Sequence, residues 1–394
     1  MLSLPVFLWF MLWGGLFTGL YNVTGEMFSS PLAFFQGARA LLPLLALYIC
    51  LMWMLLKGAK VPSFSNPVGF FFYYCAVGLA VSFFSPEKLT ALYWGGAYLA
   101  PVLVVWIVLS GEDILERMRK VLFVNYAASF LIFMLLLPDI YGYGFSGKMR
   151  FMFYELPFGL GEMRANGVAR FALVLLIISG VRLLSQKNVW RYLWAVPLIL
   201  STYTLMQTQS RTALLGLVVA GVLLVYIMGL RWQFLFLGPA AAYVLWRAGF
   251  QERGHGSLER LVNLTGRQLT WQQAVVEIKK SPFLGWGFHA DRILLDSQHM
   301  HNSYLHAMLH GGIVGLVFFA AAVFSIWYVI LKENVLKRIK KADEVNRPFL
   351  IESVLIIGFL SSRSLFESTA AFFGVDLLLF IPAAAYIYVW AKRQ

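Results

Sequence analysis

An all-α polytopic integral membrane protein with about twelve transmembrane helices is the fold the sequence predicts. Composition is the first reason. Hydrophobic residues make up 60% of the 394 and charged residues 13%, against roughly 45–50% apolar and about 25% charged in an ordinary soluble domain. Spacing is the second. Apolar runs of about 20 residues, long enough to cross a bilayer as a helix, recur along the whole chain. The third is the absence of alternation in runs such as Leu214 to Met228, which argues against a membrane β-barrel. These features exclude water-soluble enzymes and disordered chains. Cys50 and Cys75, both inside apolar runs, are too few for a disulfide scaffold or a thiolate cluster.

The expected spans are 5–22, 38–56, 67–84, 90–109, 120–137, 167–184, 191–207, 212–229, 232–248, 303–331, 349–366 and 370–390. The first has no positive segment ahead of it and is followed by further spans, so it reads as a helix and not as a signal peptide. With the N-terminus in the cytoplasm, the short loops on that side are basic throughout. They carry Lys57 and Lys60, then Arg117, Arg119 and Lys120, then Arg182, Lys187 and Arg191. Arg231 follows, then Lys332 to Arg347 and finally Lys392 and Arg393. That is the positive-inside pattern. No fixed-period repeat is visible, and residues 1–394 read as one membrane domain.

The excess of 32 Lys and Arg over 19 Asp and Glu gives a formal charge of +13. Loop bias accounts for only part of it, because other basic residues fall on the outward side. Two outward segments are long, Asp139 to Asn166 and 249–302. The second carries Arg253, Arg260, Arg267, Lys279, Lys280 and Arg292, and all six histidines lie between His255 and His310. Loops beyond about 15 residues are usually functional or disordered. A helical pattern near 269–278, followed by Ser281-Pro-Phe-Leu-Gly-Trp-Gly-Phe288, reads as a folded cap over the bundle.

Arg211 opens the eighth span, where a lone cation adds to the positive end of the helix dipole. Two readings stay open. It snorkels to the interface, or it binds an anion with the free amides there, as arginine does with phosphate oxygens. Arg164 and Arg170 pose the same choice at the sixth span. His306 and His310 share a helix face, but no His-Glu-x-x-His pattern is present. Asp291 and Asp296 stand at no recognised ligand spacing, so no metal is expected. Those two histidines read as packing residues. Asn302 reads as an N-cap, and Gly311, Gly312 and Gly315 as small residues allowing close helix approach. There is no Gly-x-Ser-x-Gly and no phosphate-binding P-loop, which argues against a serine hydrolase and an ATP-driven pump. A histidine at the mouth of a helix serves as a general base near neutral pH.

His301-Asn302, nine residues, Gly312, two residues and Gly315 resemble the His-[Asn/Ser/Gln]-x9-Gly-x-x-Gly signature of bacterial O-antigen ligases, a family that includes O-antigen polymerases. Gln209 to Leu215 and Trp271 to Phe288 are similar to the same family. The resemblance implies a metal-independent, inverting glycosyltransferase of the GT-C type in the bacterial inner membrane, with its site facing the periplasm. The donor would be an undecaprenyl-pyrophosphate-linked glycan. The acceptor would be a lipid A–core sugar for a ligase, or a second lipid-linked glycan for a polymerase. His301 would be the base and Arg211 the pyrophosphate ligand. Arg164, Arg267, Asn302, Tyr304 and Arg170 would bind substrate, and Gly312 and Gly315 would be structural. No cofactor and no nucleic acid is expected; membrane lipids are. In a different class stands a transporter or flippase, for which Glu352, Asp376 and Arg363 in the late spans would be the charged candidates.

Overall fold

The computed structural model describes residues 3–25, 27–58, 61–64, 66–142, 153–208, 210–229, 267–296 and 298–393. Its main elements, in chain order, are α1 (Leu4–Gly14), α2 (Pro31–Lys57), α3 (Pro67–Ser82), α4 (Lys88–Leu109) and α5 (Ile114–Gly142). A hairpin of β1 (Phe153–Leu156) and β2 (Gly161–Arg164) follows. Then come α6 (Ala165–Ser185), α7 (Ala195–Thr208), α8 (Arg211–Met228), α9 (Arg267–Lys280), α10 (Ala290–Leu294), α11 (Ser303–Lys332), α12 (Asn346–Arg363) and α13 (Val375–Lys392). Among the described residues the protein is all-α apart from the hairpin. Seven of these helices are long and apolar enough to cross a membrane. Large apolar side chains such as Leu55, Leu56, Phe123, Val218 and Phe324 lie exposed along them, a surface suited to lipid and not to water.

Every expected span except 232–248, which lies outside the described residues, contains a helix. Local sequence explains several boundaries. Pro31 and Pro67 sit in first turns, where a missing N–H costs nothing. Ser30 Oγ accepts from Ala33 N at 3.1 Å, and Asn66 Oδ1 accepts from Gly69 N at 2.9 Å. The first span is shorter than expected. Its helix has 11 residues, or about 16 Å, because the chain leaves helical geometry near Phe17 (φ 61°).

The described residues fall into two compact units. The first comprises Met1–Val124, Thr265–Glu333 and Ser364–Gln394. Within it α3 packs on α4 and on α11, α2 on α4, and α13 on α3, α4 and α11. The second comprises Asn125–Leu264 and Asn334–Arg363. In it α6 packs on α7, α8 and α12, and α8 packs on α12. Glu352, fully buried on α12, is held there by Arg182, whose Nε and Nη2 donate to its two oxygens at 2.5 and 2.9 Å. A buried carboxylate needs such a partner.

The largest departure from expectation is in α11. A straight helix would hold Tyr304 and Phe324 roughly 30 Å apart, yet their ring centroids are 6.4 Å apart. The chain turns back at Gly311 (φ −127°, ψ 16°) and Gly312 (φ 61°, ψ −158°). Gly312 is therefore a hinge in the backbone and not merely a small packing residue, because positive φ is costly for any residue with a Cβ. The turn after α9 fills the break. Trp286 N donates to Leu309 O, Gly287 N to His310 O, and Ile313 N to Pro282 O, at 2.9, 2.9 and 2.8 Å. Irregular backbone inside a membrane protein survives only where its polar groups are satisfied in this way.

Candidate active site

His301 stands immediately before α11, at the start of a short re-entering segment and not at the end of a straight span. Three structural elements fix it. Asn302 caps α11, its Oδ1 accepting from Tyr304 N and Leu305 N at 3.0 Å each, as expected. Residues of α9 hold the approach to it: Trp271 Nε1 donates to Met300 O at 2.8 Å and Thr270 Oγ1 to Gln298 Oε1 at 2.6 Å. Beneath them lies a small apolar core of Ala274, Ile278, Ala290, Leu295, Met300 and Leu309. The described part of the outward segment, 267–296 and 298–302, is thus folded. Its earlier part, with Arg253, His255 and Arg260, lies outside the described residues.

The third element is the loop between α12 and α13. Ser303 N donates to Ser364 O at 2.9 Å, and Asn302 Nδ2 to Leu365 O at 3.1 Å. Tyr74 and Tyr98 donate their hydroxyls to Ala371 O and Ala370 O at 2.8 Å each. This loop delivers Glu367, which sequence reasoning missed. Its Oε2 lies 2.7 Å from His301 Nδ1, and its Oε1 accepts from Arg267 Nη2 at 2.9 Å. Arg267 also donates through Nη1 to Phe366 O. The fold therefore brings His301 and Arg267 together on one carboxylate, on a residue that is 6% exposed, while Asn302 binds the backbone of the same loop. His301 has φ 50°, an uncommon backbone for a residue with a Cβ, of the kind that collects at functional sites.

Chemically, the arrangement joins a titratable imidazole to a carboxylate that orients it, with a guanidinium on the far side of that carboxylate. If Nδ1 carries the proton and donates it to Glu367, Nε2 keeps its lone pair and is the basic atom.

The other histidines surround a second carboxylate. Asp291, 2% exposed, receives His299 Nδ1 at 3.0 Å and has His306 Nε2 at 3.4 Å. Burial pushes this carboxyl up, but the charge on His306 and the hydrogen bond from His299 outweigh it and hold the carboxyl well below its usual range. Burial lowers the pKa of His299 and that of His289, the latter to about 4. His289 stacks on Trp94 with centroids 5.2 Å apart. His310 packs as expected, between Tyr74 and Phe288, with its Nδ1 3.2 Å from the Tyr74 hydroxyl.

Tyr304 lies beside Phe319 and Phe324, and Gly315 beside Tyr74. The remaining expected residues belong to the second unit. Arg211 is the first residue of α8, after the N-cap Ser210, whose Oγ accepts from Ala213 N at 3.4 Å. Beside it, the buried Arg363 points Nη1 at Thr212 Oγ1, 3.5 Å away. Arg164 ends β2 and lies exposed over the Phe153 ring at 4.9 Å. Arg170 is on α6, 5.1 Å from the Phe171 ring centroid.

The family comparison covers the segment that carries His301 and Arg267. Residues 196–320 match the family described as O-Antigen ligase. The chain is 24% identical over 181 residues to a protein of Rhizobium meliloti (strain 1021) described as "Exopolysaccharide production protein ExoQ". That match covers 39% of this chain and 42% of the relative, so it spans about two fifths of the relative's length. Over residues 196–320 the chain is therefore similar to the O-Antigen ligase family, in a protein whose described residues include seven helices long and apolar enough to cross a membrane.

Proposed function

We propose that the protein is a lipid-linked glycan transferase acting as an O-antigen ligase in the bacterial inner membrane, with its site on the periplasmic face. The observation that carries the reading is the His301–Glu367 pair, with Arg267 behind it. The donor is a glycan on undecaprenyl pyrophosphate, and the acceptor is a hydroxyl of a lipid A–core sugar. The acceptor oxygen attacks the anomeric carbon, and its proton passes to His301 Nε2. The bond from that carbon to the pyrophosphate oxygen breaks, and its electron pair leaves with the pyrophosphate. Attack opposite the leaving group inverts the anomeric centre.

Glu367 keeps the imidazole in the tautomer that accepts at Nε2 and stabilises the imidazolium that forms. Arg211 neutralises the pyrophosphate as charge builds on it, a role that rests on the family resemblance. Arg164, Arg170, Asn302 and Tyr304 are proposed to bind the lipid-linked glycan on the same basis. The cap over the site is proposed to include 267–296 and 298–302; the earlier part of the expected 249–302 cap lies outside the described residues. The leaving group is already activated, so the reacting atoms need no metal, nucleotide or other cofactor.

A second reading within the family is a polymerase, whose acceptor is another lipid-linked glycan. The role given to the Rhizobium relative, exopolysaccharide production, favours it. Purified protein given lipid-linked repeats, with and without lipid A–core, separates the two. Product only when core is present supports the ligase. Long chains without core support the polymerase. No transfer in either mixture contradicts both.

A further inference from the structure

The Asp291–His299–His306 cluster is not used by the transfer chemistry above, and its construction asks for a ligand. Asp291 comes from α10, His299 from the loop after it and His306 from α11, so three separate backbone segments converge on one point. Both histidine nitrogens face the same carboxylate: His299 Nδ1 at 3.0 Å from Oδ2 and His306 Nε2 at 3.4 Å from Oδ1. One donor atom from each residue lies within 4.8 Å of the other two. Four ligands about a zinc-type ion at 2.0–2.1 Å stand about 3.3 Å from one another, so only small movements would close the set.

Two details separate this cluster from an ordinary carboxylate–imidazole pair. His306 is 1% exposed, and among the described residues neither of its ring nitrogens has a hydrogen-bond partner. The 3.4 Å approach to Asp291 is close but poorly aimed for a hydrogen bond, whereas a metal between the two would satisfy both. His310, fully buried, also has an unpartnered Nε2, with its ring centroid 4.2 Å from that of His306. Phe372 lies flat against His306 and edge-on to His299 at 5.6 and 5.1 Å, walling the cluster from one side as apolar groups do around structural metals.

We propose that Asp291, His299 and His306 bind one divalent metal ion of the zinc class. Two imidazoles and a carboxylate are a donor set of borderline softness, suited to zinc and its first-row neighbours and not to magnesium or calcium. The ion would clip α10 and its following loop to α11, and so fix the chain two residues before His301. Its role is to hold the site in shape, separate from the reacting atoms, and the inference stands whether or not the transferase reading holds. Sequence spacing hid it because Asp291 and His306 become neighbours only through the fold.

The test uses the full-length protein in detergent, purified on an affinity tag without histidines. It is loaded with zinc, passed through a desalting column and assayed by elemental analysis. About one equivalent per chain is expected, falling at least fivefold in Asp291→Asn and unchanged in the control Asp296→Asn. Less than about a tenth of an equivalent in the loaded wild type, or full retention in Asp291→Asn, overturns the proposal. Should Asp291→Asn fail to fold, cobalt loaded into the wild type decides. Visible d–d bands of a low-symmetry nitrogen–oxygen site, displaced by zinc, are expected; a spectrum of hexaaquo cobalt alone refutes the site.

Discussion

Glu367 Oε2 lies 2.7 Å from His301 Nδ1, and this contact joins the α12–α13 loop to the start of α11. The carboxylate does two things there. It holds the ring, and it opposes the positive charge the ring acquires on taking a proton. Glu367→Gln keeps a hydrogen-bond acceptor for Arg267 but removes that charge. Transfer should slow by about 10- to 1,000-fold in kcat with little change in KM. Steady-state rates against donor and acceptor concentration check this. An unchanged kcat would make the contact purely architectural.

The hinge in α11 gives a stability prediction. A Cβ at Gly312 would fall 2.1 Å from Phe283 C and 2.2 Å from Phe283 O, at φ 61°. Backbone cannot yield as a side chain does, so Gly312→Ala should prevent the 282–287 turn from entering the helix break. The expected result is aggregation or a strongly lowered melting temperature on fluorescence size exclusion. Gly315→Ala, whose Cβ would meet Ala307 O at 3.2 Å, should be much milder.

Phe288 is the apolar anchor of the same turn. It is 1% exposed, with Tyr74, Tyr98 and His310 around it at centroid distances of 5.8, 5.3 and 5.0 Å. Gly78 leaves room for it: a Cβ there would lie 2.5 Å from its ring. Phe288→Ala should cost about 3–5 kcal/mol, read as a fall in thermal midpoint in detergent. Phe288→Leu should recover part of the loss.

Asp343 supplies a pH-dependent prediction. Its Oδ1 accepts from Val345 N at 3.1 Å and Asn346 N at 2.8 Å, at the start of α12. Slight burial raises this carboxyl, but the hydrogen bonds from Asn346 and Val345 outweigh that and hold it below 3.8. A carboxylate depressed in the folded state stabilises above its unfolded pKa, and the gain is lost as pH falls through the folded value. Asp343→Ala should therefore lower stability by about 1 kcal/mol at pH 7. Melting curves of the two proteins should converge as pH falls through and below the depressed folded-state value.

Much of this was legible from residue order alone. The spans follow from apolar runs longer than a bilayer is thick, and Asn302 announces its capping role by preceding an apolar helix. His301 stood out through its motif. Glu367 did not, because nothing near it in sequence marks it. Ser303, Tyr74 and Tyr98 bind the backbone that carries it, and such pairings between distant segments leave no local pattern. The same holds for Asp291 and His306. The turn-back at Gly311–Gly312 was hidden for another reason: α11 is apolar on both sides of its break, so hydropathy reads one long span where the backbone makes two.

The central claim is that His301 takes the acceptor proton. Purified wild type and His301→Ala, matched for monodispersity and thermal midpoint, should be compared in a single-turnover assay with saturating lipid-linked donor and acceptor. The account predicts a loss of about 10²–10⁴ in the transfer rate with donor binding retained. Transfer by His301→Ala at the wild-type rate would contradict it.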